Sequence, residues 1–182
     1  MGPMQWKNCA HSGARGPFDG IFLACGTCAY SGFLGPAPGT IGAAIGTLLY
    51  PFTFRGMGVG KFFLFYFFFV VISLWICGRC ERILDTEDPA AVNLDECVAM
   101  PLCLWPAEYL FGLRVLSPWI LLPVGFLFFR FFDIYKPFFI NSLQRLPGGW
   151  GIVLDDLAAA AIGCVCLIIG IGIWTFWITG NH

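Results

Sequence analysis

Asp95-Glu96, Asp155-Asp156 and the trio Arg130, Asp133 and Lys136 are the residues of this 182-residue chain whose types and spacing could do chemistry. Clustered carboxylates without a matching number of cations suit a hard divalent ion such as Mg²⁺, which is held by one or two carboxylates and completed by phosphate and water oxygens. Neighbouring helical residues point about 100° apart, so each acidic pair can turn one carboxylate inward and leave the other for a second metal, a hydrogen-bonded neighbour or water. Arg130, Asp133 and Lys136 recur at i, i+3 and i+6, which predicts one helical face with a carboxylate between two cations. Such a face could grip a phosphate monoester: Arg forks onto its oxygens, Lys acts as a point charge, and the carboxylate reaches a metal.

Each of these groups also has a plainer reading. Acidic residues are favoured at helix N-termini by capping and by the helix dipole, and cations at a membrane boundary snorkel toward headgroups. Thr40 closes the Gly/Pro-rich turn GFLGPAPGTIG at 32–42, where it could cap a helix whose first backbone amides hold an anion. A tight turn with ordinary capping explains that segment equally well. GGWG at 148–151 fits either a flexible connector or a close approach of backbone to ligand.

The elements that must position these groups are helices in a bilayer. The chain is 58% hydrophobic, 18% aromatic and only 12% charged, with a mean hydropathy of +0.79, which implies an all-α, polytopic integral membrane protein. A net charge of −1 argues against nucleic-acid binding, which needs a basic face. Crossing a hydrocarbon core of about 30 Å takes roughly 17–25 helical residues, and five apolar runs are candidates. The runs are 39–54, short and carrying Pro51; 61–78; 97–113, interrupted by Pro101, Pro106 and Glu108; 115–132, ending at the Arg130 cluster; and 157–179, with Trp174 and Trp177 where interfacial aromatics belong. No internal repeat is evident, so the expected organisation is one membrane domain over 31–182 behind an N-terminal cytoplasmic segment, 1–30. No apolar core precedes Phe18, so a signal peptide is not expected, and Trp6 stands where a myristoylation signal needs Ser or Thr.

Nine cysteines include two CxxC pairs, Cys25/Cys28 and Cys77/Cys80, far apart and in apolar surroundings. They read as small apolar residues of membrane helices rather than a zinc or redox centre, and the odd count argues against a disulfide framework. His11 and His182 sit near the two ends, so histidine coordination is not expected.

If all five runs cross, alternation puts the polar segments 31–40, 79–96 and 133–156 on one side of the membrane. Lys7, Arg15, Arg79, Arg82, Arg130, Lys136 and Arg145 fall on that side, against Arg55, Lys61 and Arg114 on the other, which predicts a cytoplasmic location. Every acidic residue except Glu108 lies there too. Carboxylates gathered at the ends of several spans point to a site at headgroup depth.

Four stretches in order, GPAPGTIGA at 35–43, EDPAAVNLDECVAM at 87–100, FRFFDIYKP at 129–137 and GGWGIVLDDLAAA at 148–160, resemble the phosphatidylglycerophosphatase A family over about 32–160. The resemblance implies an Mg²⁺-dependent enzyme of the bacterial inner membrane. It would remove the terminal phosphate of phosphatidylglycerophosphate at the cytoplasmic face, giving phosphatidylglycerol and inorganic phosphate. It also implies that metal ligands come from Asp95, Glu96, Asp133, Asp155 and Asp156, and that Arg130 and Lys136 neutralise the phosphate with Thr40 nearby. Asp133 and Asp156 would be among the catalytic groups. Ala99 and Ala160 stand where the family pattern usually has Gly, and Glu87-Asp88-Pro89 where DDP is common. A lipid substrate explains why acidic residues crowd the mouths of apolar helices: its phosphate sits at that depth while its tails stay in the bilayer. Two rival functions are a cation- or proton-coupled transporter, with Glu108 and the broken third run as the ion path, and a headgroup transferase, which would need a longer Asp-rich helical motif.

Overall fold

A computed structural model describes residues 16–115, 117–136, 143 and 146–180. Lys7, His11, Arg15, Arg145 and His182 lie outside the described residues. Among those described there are six α-helices and no strand, in keeping with the all-α expectation: α1 (Asp19–Gly26), α2 (Pro38–Thr53), α3 (Val59–Leu84), α4 (Leu94–Val115), α5 (Pro118–Tyr135) and α6 (Gly149–Gly180). One turn of 3-10 helix, Ser31–Phe33, joins α1 to α2.

By length and composition three helices can cross a membrane: α3, α5 and Gly149–Trp177 of α6. Their apolar side chains are largely uncovered; Phe63, Phe67 and Trp75 of α3 and Leu127 and Phe131 of α5 are all more than half exposed. Faces of that kind suit lipid rather than water. The remaining two apolar runs are built differently. α2 has 16 residues, about 24 Å of helix, with Pro51 inside it. α4 contains Pro101 and Pro106, each of which removes one intrahelical hydrogen bond, and its path breaks at Gly112 (φ 69°, ψ 166°).

α4 is nonetheless the hub, packed against both α2 and α6. Val98, Ala99, Met100, Cys103, Leu104 and Ala107 have no exposed surface. Trp105 stacks on Phe62 of α3 with ring centroids 4.0 Å apart, and the Tyr66 hydroxyl donates to the Val98 carbonyl at 3.1 Å. α2 meets α4 through a stripe of glycine: a Cβ at Gly42 would crowd Asn93, and one at Gly46 would crowd the backbone of Cys97. Small residues at this spacing let two helix backbones approach closely in a bilayer. The GGWG stretch makes a similar close approach to protein. Gly149, at the start of α6, lies where a Cβ would strike the backbone of Leu74 and Gly78 in α3.

α1 lies within the segment expected to precede the domain, and it packs on α3 through an Asp19–Arg79 ion pair at 2.8 Å. The eight described cysteines are free. Among the described residues no cysteine belongs to a group able to hold a metal ion.

Candidate active site

The polar segments 31–40, 79–96 and 133–156 meet around one cavity of about 410 Å³. Its wall takes Pro36 to Gly39 from the start of α2, Asp88 from the approach to α4, Asp95 and Glu96 from the first turn of α4, Arg130, Asp133 and Lys136 from the end of α5, and Asp155 and Asp156 from α6.

Within it the five expected carboxylates divide into two sets. Asp95, Glu96 and Asp156 each offer an oxygen within 4.8 Å of the other two. Asp95 Oδ1, Glu96 Oε2 and Asp156 Oδ2 are buried and have no hydrogen-bond partner. Asp95 is 6% exposed and Asp156 4%. Three neighbouring acids, Asp95 and Asp156 buried and Glu96 half-buried, each with one buried oxygen that has no partner, form a donor set that fits a hard divalent cation.

Asp133 and Asp155 instead face the cations. Arg130 Nη1 donates to Asp133 Oδ2, Lys136 Nζ donates to Asp155 Oδ2 at 2.6 Å, and Lys136 Nζ lies 4.0 Å from Asp133 Oδ1. Lys136 is not part of the α5 face that its i+6 spacing suggests. It is the C-cap, in the left-handed region (φ 32°, ψ 79°), where its N–H still bonds to the Phe132 carbonyl at 3.0 Å. That conformation is costly for a lysine. It turns the side chain back between α5 and α6. Burial alone would lower the Lys136 pKa, but the bond to Asp155 and the nearby charges of Asp155, Asp156 and Asp133 outweigh it and raise the pKa, so the ammonium stays charged.

Capping does not account for Asp155 and Asp156. α6 begins at Gly149, well before the expected start at 157, and both carboxylates lie more than one turn inside it. Asp95 and Glu96 do occupy the first turn of α4. Thr40 is not a cap either: Ala37 holds that position, Pro38 opens α2, and the Thr40 N–H bonds to the Ala37 carbonyl. Thr40 is not among the residues lining the cavity.

Two residues in this region were not singled out from sequence. Asn93 has no exposed surface; its Nδ2 donates to Ser31 Oγ at 3.1 Å and to the Pro38 carbonyl at 3.2 Å, and its N–H donates to the Gly26 carbonyl at 3.0 Å. It thereby fixes the start of α2 against the start of α4. A polar, helix-starting residue just ahead of Leu94-Asp95-Glu96 was the available signal. Gly39 is the other. A Cβ there would overlap Glu96 Oε1 and lie 3.1 Å from Arg130 Nη1, so any larger residue would have to displace the Glu96 carboxylate from its place beside the guanidinium.

The model of one protein family, Phosphatidylglycerophosphatase A, matches residues 24–171. The chain belongs to the phosphatidylglycerophosphatase A family. A phosphatidylglycerophosphatase A of Haemophilus influenzae is 33% identical over 145 residues, covering 79% of this chain and 84% of that protein. A Bacteroides thetaiotaomicron protein named "Putative phosphatidylinositol-3-phosphatase" is 28% identical over 153 residues, covering 79% of this chain and 89% of its own. A phosphatidylglycerophosphatase A of Escherichia coli is 27% identical over 94 residues, about half of each chain. No solved structure matches. The span that matches the phosphatidylglycerophosphatase A model contains every charged residue of the cavity wall.

Proposed function

We propose that this protein hydrolyses the terminal phosphate monoester of phosphatidylglycerophosphate to phosphatidylglycerol and inorganic phosphate, with Mg²⁺ held by Asp95, Glu96 and Asp156. The observation that carries the reading is the trio of buried, unpartnered carboxylate oxygens beside two cations, in a cavity built from the family-matched segment. Asp133 and Asp155 act on the cations rather than on the ion. They hold the Arg130 guanidinium and the Lys136 ammonium at the cavity wall, where these can neutralise a phosphate group. Arg130 Nε is buried without a partner and is available to a phosphate oxygen.

In the reaction a water oxygen bonds to phosphorus, the bond from phosphorus to the glycerol oxygen breaks, and that oxygen takes up a proton. The ion supplies electrostatic stabilisation of the phosphoryl oxygens. Against the transporter reading stands the engagement of Glu108 by Tyr50 at 2.6 Å and Arg55 at 3.7 Å.

Five crossings, with α2 and α4 as short or broken spans, and the excess of Lys and Arg in the cavity-side segments support a site on the cytoplasmic face of the bacterial inner membrane. A periplasm-dependent reporter fused after His182 should then be active; an inactive one means an even number of crossings. The test of function is product analysis by the purified protein on vesicles containing phosphatidylglycerophosphate, phosphatidic acid or phosphatidylinositol 3-phosphate. Phosphatidylglycerol and phosphate should form fastest from the first. Faster hydrolysis of either of the others would reassign the headgroup, and release from none would remove the enzymatic reading.

A further inference from the structure

On the outer side of the α5–α6 pair a second cavity, of about 290 Å³, is almost wholly apolar. Ile120, Val124 and Phe128 of α5 form one wall and Gly170, Ile171 and Trp174 of α6 the other. The two helices approach closely at Gly163, where a Cβ would lie 3.3 Å from the Phe129 nitrogen, and the groove lies beyond that point, away from the carboxylates. We propose that this groove is a subsite for an acyl chain of the same lipid whose phosphate enters the carboxylate cavity, an inference that rests on the lipid-phosphatase reading.

Position carries the argument. The walls of the groove are the two helices whose ends bear Arg130, Asp133, Lys136, Asp155 and Asp156. At 1.5 Å per residue the groove runs from roughly 8 Å at Phe128 to roughly 20 Å at Ile120 beneath Asp133 along α5, and from roughly 17 Å at Leu167 to roughly 27 Å at Trp174 beneath Asp156 along α6. One leaflet supplies about 15 Å of hydrocarbon, half of a core about 30 Å thick. A lipid with its phosphate at Arg130 therefore has its glycerol over the gap and the far half of a long acyl chain at the depth of the groove's upper part. The α5–α6 groove offers that chain a wall with no polar group to satisfy. Gly170 keeps it open: it is exposed, and a Cβ there would meet nothing within 4 Å. A large side chain at that position should occupy the groove without disturbing the packed interior.

The test uses the full-length protein in phosphatidylcholine vesicles. Two photoreactive probes carry the same diazirine-labelled acyl chain, one on phosphatidylglycerophosphate and one on phosphatidylcholine. The proposal predicts severalfold more labelling of peptides containing 120–128 and 167–174 by the phosphate monoester, and loss of that excess in Gly170→Phe. In the same variant the KM for long-chain phosphatidylglycerophosphate should rise severalfold, with turnover of the dihexanoyl analogue unchanged. Equal labelling by the two probes would make the groove a seat for bulk lipid and overturn the proposal, as would an equal effect of Gly170→Phe on both chain lengths. Preferential labelling by the monoester in a protein that releases no phosphate would leave the groove standing and remove the phosphatase reading instead.

Discussion

Both ends of the bundle bury a carboxylate near an arginine, and they differ in what is left over. At the end away from the cavity, Glu108 is 8% exposed; Tyr50 donates to one of its oxygens at 2.6 Å and Arg55 Nε lies 3.7 Å from the other. At the cavity end two carboxylates are matched by two cations, while three more keep buried oxygens without donors. A satisfied buried acid holds helices together; an unsatisfied cluster costs stability and persists where something else completes it. On the proposed function, that difference separates structural from functional carboxylates, although both look alike as intramembrane acids.

The largest effect should come from the unsatisfied set. Asp156→Asn or Asp95→Asn should lower phosphate release by about a hundredfold or more, as loss of a main electrostatic element does. Either change also relieves repulsion among three acids, so the thermal midpoint without divalent ions should hold or rise. Lower turnover accompanied by a lower midpoint would mean that these residues are structural. Arg130→Lys keeps the charge but loses the planar fork; about a tenfold loss is expected, and turnover within twofold of the parent would leave Arg130 as a boundary cation. Glu108→Gln should invert the pattern, with turnover within about twofold and a stability loss of about 1–3 kcal/mol read by thermal or denaturant unfolding in micelles, because Tyr50 and Arg55 lose their charged partner. A tenfold fall in turnover there would erase the contrast between the two ends. Thr40→Ala should change turnover least, by less than about twofold, since ordinary surface or first-turn substitutions have small effects. A larger loss would bring that hydroxyl to the phosphate.

Much of this arrangement is legible in the sequence, for a physical reason. If all five apolar runs cross, alternation alone gathers 31–40, 79–96 and 133–156 at one end, where the cavity lies. The division of the five carboxylates is not legible, because it depends on where helices rotate after packing. Asp155 and Asp156 are neighbours, yet one meets Lys136 and the other meets Asp95 and Glu96. The start of α6 was misplaced because GGWGIV carries no charge to mark a boundary, while its glycines favour a turn by local preference and a helix only when set against Gly78. Lys136 was assigned to the α5 face by spacing, but its left-handed backbone is a tertiary outcome held by Asp155 and Asp133. The break at Gly112 similarly follows no apolar period.

The most direct test of the central claim is a divalent-ion titration of phosphate release from phosphatidylglycerophosphate, run on the parent, Asp156→Asn and Glu108→Gln proteins after chelation. The account predicts no release by any of them after chelation, saturable restoration by Mg²⁺ for the parent and Glu108→Gln, and none for Asp156→Asn. Full activity of the chelated parent, or equal Mg²⁺ restoration of Asp156→Asn, would contradict it.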